Sequence, residues 1–301
     1  MMEEIMSFDK QLLEKIEYID TILEKYLPTP DGYQENIMKI MEYSLMSGGK
    51  RVRPMLMKES FELFHGKGEV VEPFMAAIEM IHTYSLVHDD LPAMDNDDYR
   101  RGRKTTHIVY GEDMAILAGD ALLNYAFEIA LKSLEIAPEK TLEIGKALKI
   151  LANKAGIRGM IGGQVIDIES TGKEISIDVL ETIFRLKTGA LFEASMMIGG
   201  VLAEANEEQV NALEDVACKV GIAFQIQDDI LDVTSSLEVL GKETCSDEKN
   251  EKTTYVTLKG LEASKEDVST ISSEAITKLR SFDRRNLFLE ELLKGLIARK
   301  K

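Results

Sequence analysis

Apolar positions recur with helical spacing along almost the whole chain. Leu12, Leu13, Ile16 and Ile19 form one stripe. Phe74, Ala77, Ile78 and Ile81 form another, in the i, i+3, i+4, i+7 order of one helix face. Strict alternation is hard to find, and no Asn-Gly or Asp-Gly turn joins two β-rich runs. Breaks fall near Pro28–Gly32, Gly48-Gly49, His65–Gly68, Pro92, Gly111, Pro138, Ser170–Gly172, Gly199-Gly200 and Ser246–Lys252. No long linker or low-complexity run interrupts the pattern. The expected architecture is all-α: one domain over residues 1–301, a bundle of ten or more helices around a deep central cavity.

Composition narrows the partners. The chain has 301 residues, 45% apolar and 30% charged, with a net charge of −17. That field opposes nonspecific nucleic-acid binding, but local basic clusters can still hold an anion. The two cysteines, Cys218 and Cys245, have no metal-type spacing and suit a reducing compartment. The start, MMEEIMSFDK, is acidic and unlike a targeting peptide. Uncharged runs such as Ala194–Ala203 are short for a membrane span. A cytoplasmic protein without a stable membrane anchor is expected.

Two acidic clusters concentrate the chemistry. Asp89-Asp90 and Asp95 follow one apolar helical run; Asp228-Asp229 and Asp232 follow another far downstream. Asp228 and Asp232 are i, i+4 with Gln225 on the same side, and like charges so placed destabilise a helix. His82, Ser85 and Asp89 share a face, and Pro92 lets Asp95 return from an irregular segment. A single such run reads as solvated surface. Two, each ending an apolar helix, read as facing carboxylates for Mg²⁺, which takes one or two carboxylates, waters and substrate phosphates.

Basic residues sit nearby. Gly48-Gly49-Lys50-Arg51-Val52-Arg53-Pro54, Arg100-Arg101-Gly102-Arg103-Lys104, Lys187-Thr188-Gly189 and Gly241-Lys242 pair glycine with Lys or Arg. Glycine permits close approach to an anion, and Arg and Lys bind phosphate oxygens. Surface pairing with the aspartates is the plainer reading for Arg100–Lys104. It explains Lys50 and Arg53 less well. His88 and His107 read as packed residues, whereas His82 lies on the Asp89 stripe. Gly159–Gly163 lacks the preceding strand a phosphate loop needs.

These motifs, in this order from about residue 40 to 260, resemble the trans-isoprenyl diphosphate synthases, specifically the bacterial farnesyl diphosphate synthase type. The resemblance also rests on Ala118–Leu123 and Phe224–Asp232. It implies an isoprenoid synthase-like fold, a homodimer, and Mg²⁺-dependent head-to-tail condensation of isopentenyl diphosphate with an allylic diphosphate. It assigns Asp89, Asp95 and Asp228 to Mg²⁺, about three ions per substrate-loaded site, with Asp90, Asp229 and Asp232 in support. Arg100, Lys187 and Lys242 would bind the allylic diphosphate, and Lys50, Arg53, His82 and Arg101 the isopentenyl diphosphate. Thr188 and Gln225 would steady the allylic cation. Lys104, Val256 and Asn250-Glu251-Lys252 depart from the family's usual loop residues.

Product length in this family depends on residues before the first aspartate pair. Tyr84 lies fifth before Asp89, roughly 7.5 Å back along a helix, and Ser85 directly under it. The aromatic ring favours farnesyl diphosphate (C15) over geranylgeranyl diphosphate (C20). A noncatalytic regulatory subunit or a terpene cyclase fits less well, because both acidic clusters and the Lys50/Arg53 segment are intact.

Overall fold

Helix α4, Glu72–Asp89, is the apolar axis on which the first half of the chain is assembled. Every residue from Glu72 to Ile81 is buried, the mark of a helix enclosed on all sides. Pro73 starts it, where a missing N–H costs nothing. The structure, a computed structural model, describes residues 2–238 and 253–298. Lys242, Cys245 and Asn250–Lys252 lie outside the described residues.

The fold is all-α, and the chain divides into two compact units: residues 1–148 with 201–203, and residues 149–200 with 204–301. In the first, α4 packs against α1 (Met2–Tyr26), α2 (Glu35–Leu45), α3 (Val52–Leu63) and, beyond short α5 (Thr106–Tyr110), α6 (Glu112–Leu131). The Phe74, Ala77, Ile78, Ile81 stripe is fully buried, as expected. In α1 the expected stripe is buried at Ile19, half-buried at Leu12 and Ile16, and exposed at Leu13; burial continues one turn further through Ile22, Leu23 and Tyr26.

Glu112–Ile136 has the length and apolarity of a membrane span, which counting uncharged runs does not reveal because Asp120 and Glu128 interrupt it. Its Ala115, Ala118, Leu122, Ala126 and Ile129 are fully buried in this unit, and α6 packs along α4.

The second unit is built on α12 (Glu207–Glu238). Before it come α9 (Met160–Ser170), α10 (Ile177–Ile183), a π-helical segment (Phe184–Gly189) and α11 (Ala190–Leu202). After it come α13 (Tyr255–Lys259), α14 (Leu261–Arg280) and α15 (Leu287–Ile297), which pack on α12. After short α7 (Ser133–Ile136), helix α8 (Thr141–Ala155) is divided between the units after Leu148, and the last residues of α11, from Val201, fall in the first unit. The break expected at Gly199-Gly200 does not occur, since α11 runs through it. A Cβ on Gly200 would come within 2.6 Å of Leu213 Cδ1, so this glycine serves packing.

Candidate active site

Where α4 ends, the first aspartate cluster folds back on it. Asp89 closes the helix and Asp90 is its C-cap. Past Pro92 the N–H of Asp95 donates to Asp89 O at 2.8 Å, and that of Asp97 to Asp90 O at 3.2 Å. Asp95 is thereby held beside Asp89, as the break at Pro92 predicts. Asp89 is half-buried and Asp95 exposed. Asp90 differs: it is buried, and its carboxylate accepts Arg100 Nε at 2.7 Å with Nη2 at 2.5 Å. Burial raises the Asp90 pKa, and the Arg100 hydrogen bond offsets only part of that.

Arg100 belongs to a small hairpin that the sequence pattern did not reveal. Tyr99–Arg100 (β1) pairs antiparallel with Arg103–Lys104 (β2). The turn residues Arg101 and Gly102 have φ of 52° and 77°, the positive values a type I′ turn requires. Arg-Gly takes the place of the usual Asn-Gly or Asp-Gly. The hairpin is clamped to α2: Tyr43 Oη donates to Lys104 O at 2.7 Å, and the Arg103 guanidinium lies 4.5 Å from the Tyr43 ring centre. Only the backbone oxygen of Lys104 is used in that hydrogen bond, so its unusual side chain leaves the clamp intact.

The turn delivers Arg101 onto Gly48-Gly49. Its Nη1 donates to Gly48 O, and a Cβ on Gly49 would stand 2.5 Å from Nη1 and 2.8 Å from Cζ. The glycine pair is thus what admits the guanidinium. Next to it, Arg51 adopts the left-handed conformation, φ 47° and ψ 38°, which costs an L-residue about 1–2 kcal/mol. Arg51 is buried; its Nε donates to Asp20 Oδ1 at 2.8 Å and its Nη1 to Glu79 Oε1 at 2.9 Å. Glu79 is itself buried, one turn before His82 on α4.

These groups form one electrostatic locality. Burial, then the positive charges of Arg53, Arg101, Arg100 and Arg51, hold the His82 pKa well below its ordinary value, so the imidazole is neutral. Burial lowers Arg53 to about 10, opposed by Glu79 and reinforced by Arg101. Burial also lowers Arg101, again opposed by Glu79. Arg53, His82, Arg100 and Arg101, singled out from distant sequence segments, are therefore brought together, with exposed Lys50 beside Arg51. Four guanidiniums crowded over two buried carboxylates, Glu79 and Asp90, suit a polyanion. Sequence reasoning missed Glu79, Arg51 and Asp20. The available signal was a lone carboxylate inside the apolar run Phe74–Ile81.

Tyr84 is buried, its ring edge-on to His88 at 5.8 Å between centroids and 78° between planes. Its hydroxyl is buried and has no hydrogen-bond partner among the described residues. Burial, with Asp89 adding to it, pushes the phenol up to about 12. Ser85 Oγ bonds back to His82 O at 2.9 Å. His88 and His107 are packed, as expected: His88 Nε2 lies 3.1 Å from Ile116 O, in space left by Gly119, and His107 Nδ1 lies 3.1 Å from Thr105 Oγ1.

In the second unit, Gln225, Asp228, Asp229 and Asp232 lie inside α12, not at a helix end. Asp229 mirrors Asp90: it is buried, and its Oδ2 accepts the Tyr255 N–H at 2.6 Å, satisfying an orphan donor in the first turn of α13. Val256 follows in that turn, where proline would also be tolerated. Asp228, Asp232 and Gln225 are half-exposed.

Lys187 and Thr188 lie in the π-helical segment, a distortion frequent at functional sites. Lys187 Nζ is 2.6 Å from Asp167 Oδ2 on α9, a partner the sequence did not suggest. A Cβ on Gly163 would strike the Leu186–Lys187 backbone, and one on Gly221 would approach Gly189 Cα at 2.8 Å. Gly163, within the stretch weakly suggestive of a phosphate loop, is thus a packing device for the Lys187 segment. Among the described residues, no three His, Cys, Asp or Glu side chains converge into a ready-made metal cage.

The polyprenyl synthetase family model matches residues 34–286. The chain is 40% identical over 301 residues to farnesyl diphosphate synthase of Micrococcus luteus, covering 100% of both chains. It is 43% identical over 289 residues to geranylgeranyl diphosphate synthase of Cyanophora paradoxa, covering 96% of this chain and 95% of that one. The solved structure of an FPP/GFPP synthase from Zymomonas mobilis superposes with a TM-score of 0.87 at 31% identity, covering 97% of this chain and 99% of that one. With its two aspartate clusters and its arginine-lined anion locality, this chain belongs to the polyprenyl synthetase family of prenyltransferases.

Proposed function

We propose that this prenyltransferase condenses isopentenyl diphosphate head-to-tail with dimethylallyl and geranyl diphosphate, giving farnesyl diphosphate and diphosphate. The observation that carries this reading is the crowd of Arg51, Arg53, Arg100 and Arg101 around a neutral His82, on the helix that ends in Asp89. A diphosphate brings the negative charge such a crowd needs. Lys50, Arg53, His82 and Arg101 hold isopentenyl diphosphate, with His82 donating a ring N–H to it. Arg100, Lys187 and Lys242 hold the allylic diphosphate.

The donor set fits Mg²⁺, which takes few protein carboxylates and completes its shell with water and phosphate oxygens. Asp89, Asp95 and Asp228 are the residues to hold it. Asp90 and Asp229, bound to Arg100 and the Tyr255 N–H, act in support, together with Asp232. When bound, the metal supplies positive charge that stabilises the departing diphosphate. Arg100 and Lys187 add fixed charge at the same leaving group. Thr188 and Gln225 present polar groups to the allylic cation, which the isopentenyl double bond attacks; the proton then lost passes to the released diphosphate.

Tyr84 supports C15 over C20 as product: a buried ring, held by His88, limits the hydrocarbon chain. Purified protein given Mg²⁺, labelled isopentenyl diphosphate and geranyl diphosphate is expected to give mainly C15. Tyr84→Ala is expected to shift the dephosphorylated products toward C20 and longer. An unchanged product profile would reject this role. The second reading, a C20 synthase, is favoured by the Cyanophora relative and would appear as C20 from the unsubstituted protein.

We also propose a cytoplasmic homodimer without a membrane anchor. Ile108, Val109, Ile116, Leu117 and Leu131 on α5 and α6 are exposed and apolar, which supports a second copy covering that face. Light scattering is expected to give twice the chain mass of 33.7 kDa, and a monomer mass would end the idea.

A further inference from the structure

We infer that Glu79 is a positioning residue for the isopentenyl diphosphate site: through Arg51 it holds the Lys50–Arg53 segment in the conformation that presents Lys50 and Arg53 to the anion. The inference rests on the proposed function and concerns groups that need not touch substrate. Glu79 lies in the most apolar part of α4, between Ile78 and Met80, both fully buried. A carboxylate placed there demands a partner. Its partner is Arg51, at 2.9 Å.

Arg51 is unusual in its own right. Positive φ at Gly48, Gly49 and Arg51 turns the chain sharply before α3. At the two glycines this is free of Cβ strain; at Arg51 it is not. A glycine would have removed the strain there but could not have made the ion pairs. Arg51 is held by two: Glu79 on one guanidinium nitrogen and Asp20 on another. The strained residue stands between Lys50 and Arg53, two residues assigned to one substrate. Strain kept by a specific side-chain lock at such a point is a reason to look for a positioning role.

Glu79 also precedes His82 by one helical turn, so both look out from the same side of α4. Its charge reaches Arg53 and Arg101 as well as Arg51. Losing that charge therefore disturbs the isopentenyl diphosphate residues together. The allylic residues Arg100, anchored by Asp90, and Lys187, paired with Asp167, keep their own partners.

The test compares Glu79→Gln, which keeps shape and loses charge, with Arg51→Lys, which keeps charge but has no planar fork to reach both Asp20 and Glu79. Steady-state kinetics would be run with each substrate varied in turn, beside calorimetric titration with isopentenyl diphosphate. Both variants are expected to raise the KM for isopentenyl diphosphate by about 10-fold or more, and to leave the KM for geranyl diphosphate within about 3-fold. If Glu79→Gln does not fold, Arg51→Lys carries the same comparison. An unchanged KM for isopentenyl diphosphate, or equal rises for both substrates, overturns the inference alone. An unsubstituted protein that neither binds isopentenyl diphosphate nor turns it over overturns the functional reading, and the inference with it.

Discussion

Asp89→Asn is expected to lower kcat/KM by about 10³-fold or more, equivalent to roughly 4 kcal/mol of lost transition-state stabilisation. Asp89 is half-buried at the end of α4, with Asp95 tied to it through the backbone. Asparagine keeps the shape and the backbone bond but removes one of the few charges proposed to hold Mg²⁺ against the leaving group. The melting temperature should change little, because the substitution relieves like-charge crowding with Asp90 and Asp95. The Mg²⁺ concentration for half-maximal activity should rise. Asp90→Asn makes the contrast. Its carboxylate already holds Arg100, so that variant should lose both stability and affinity for the allylic diphosphate. Equal Mg²⁺ dependence in Asp89→Asn and the unsubstituted protein would rule out the metal role for Asp89.

Glu193→Ala is expected to destabilise the fold by about 3–5 kcal/mol, read from the urea midpoint and slope. Glu193 is fully buried on α11; its carboxylate accepts Lys154 Nζ on one oxygen and Arg185 Nε, at 3.3 Å, on the other. Removing it takes the buried partner from Lys154, which is mostly buried and keeps only the more exposed Glu214 at 2.7 Å, and takes Arg185's partner as well. Arg185 is part of the π-helical segment that carries Lys187 and Thr188. Activity is therefore expected to fall along with stability. The double substitution Lys154→Met with Glu193→Leu should recover part of the stability, because apolar residues of similar volume replace the most buried pair, and the partners left over, Glu214 and Arg185, are exposed enough to be hydrated. No recovery would mean that the charge network itself holds the segment.

Much of the candidate site is legible because the chemistry proposed for it is written in residue type and spacing. The paired aspartates, Lys50, Arg53, Arg100, Arg101 and Lys187 stand out as charges beside apolar helical runs. The helices were legible because their stripes repeat at the helical period. Other features depend on contacts remote in sequence. Glu79 interrupts an apolar run and Asp167 is one helix acid among several; only Arg51 and Lys187, placed against them by the fold, set them apart. The Arg101-Gly102 hairpin escaped notice because two residues per strand are too few to show alternation. Gly199-Gly200 reads as a break in sequence because single-residue propensity says nothing of Leu213, the side chain that needs the space.

The sequence by itself determined an all-α fold, the family, and the kinds of charge the protein offers to a diphosphate and its cation. These follow from periodicity and ionisation, which are properties of the chain taken one segment at a time. Only the tertiary structure decided how those charges are divided. Asp89 and Asp90 are neighbours in sequence, as are Asp228 and Asp229. In each pair one carboxylate stays partly exposed, while the other is buried and bound, to Arg100 in one case and to the Tyr255 N–H in the other. The division arises because burial makes an unpaired carboxylate costly, and the partner that relieves the cost comes from elsewhere in the chain.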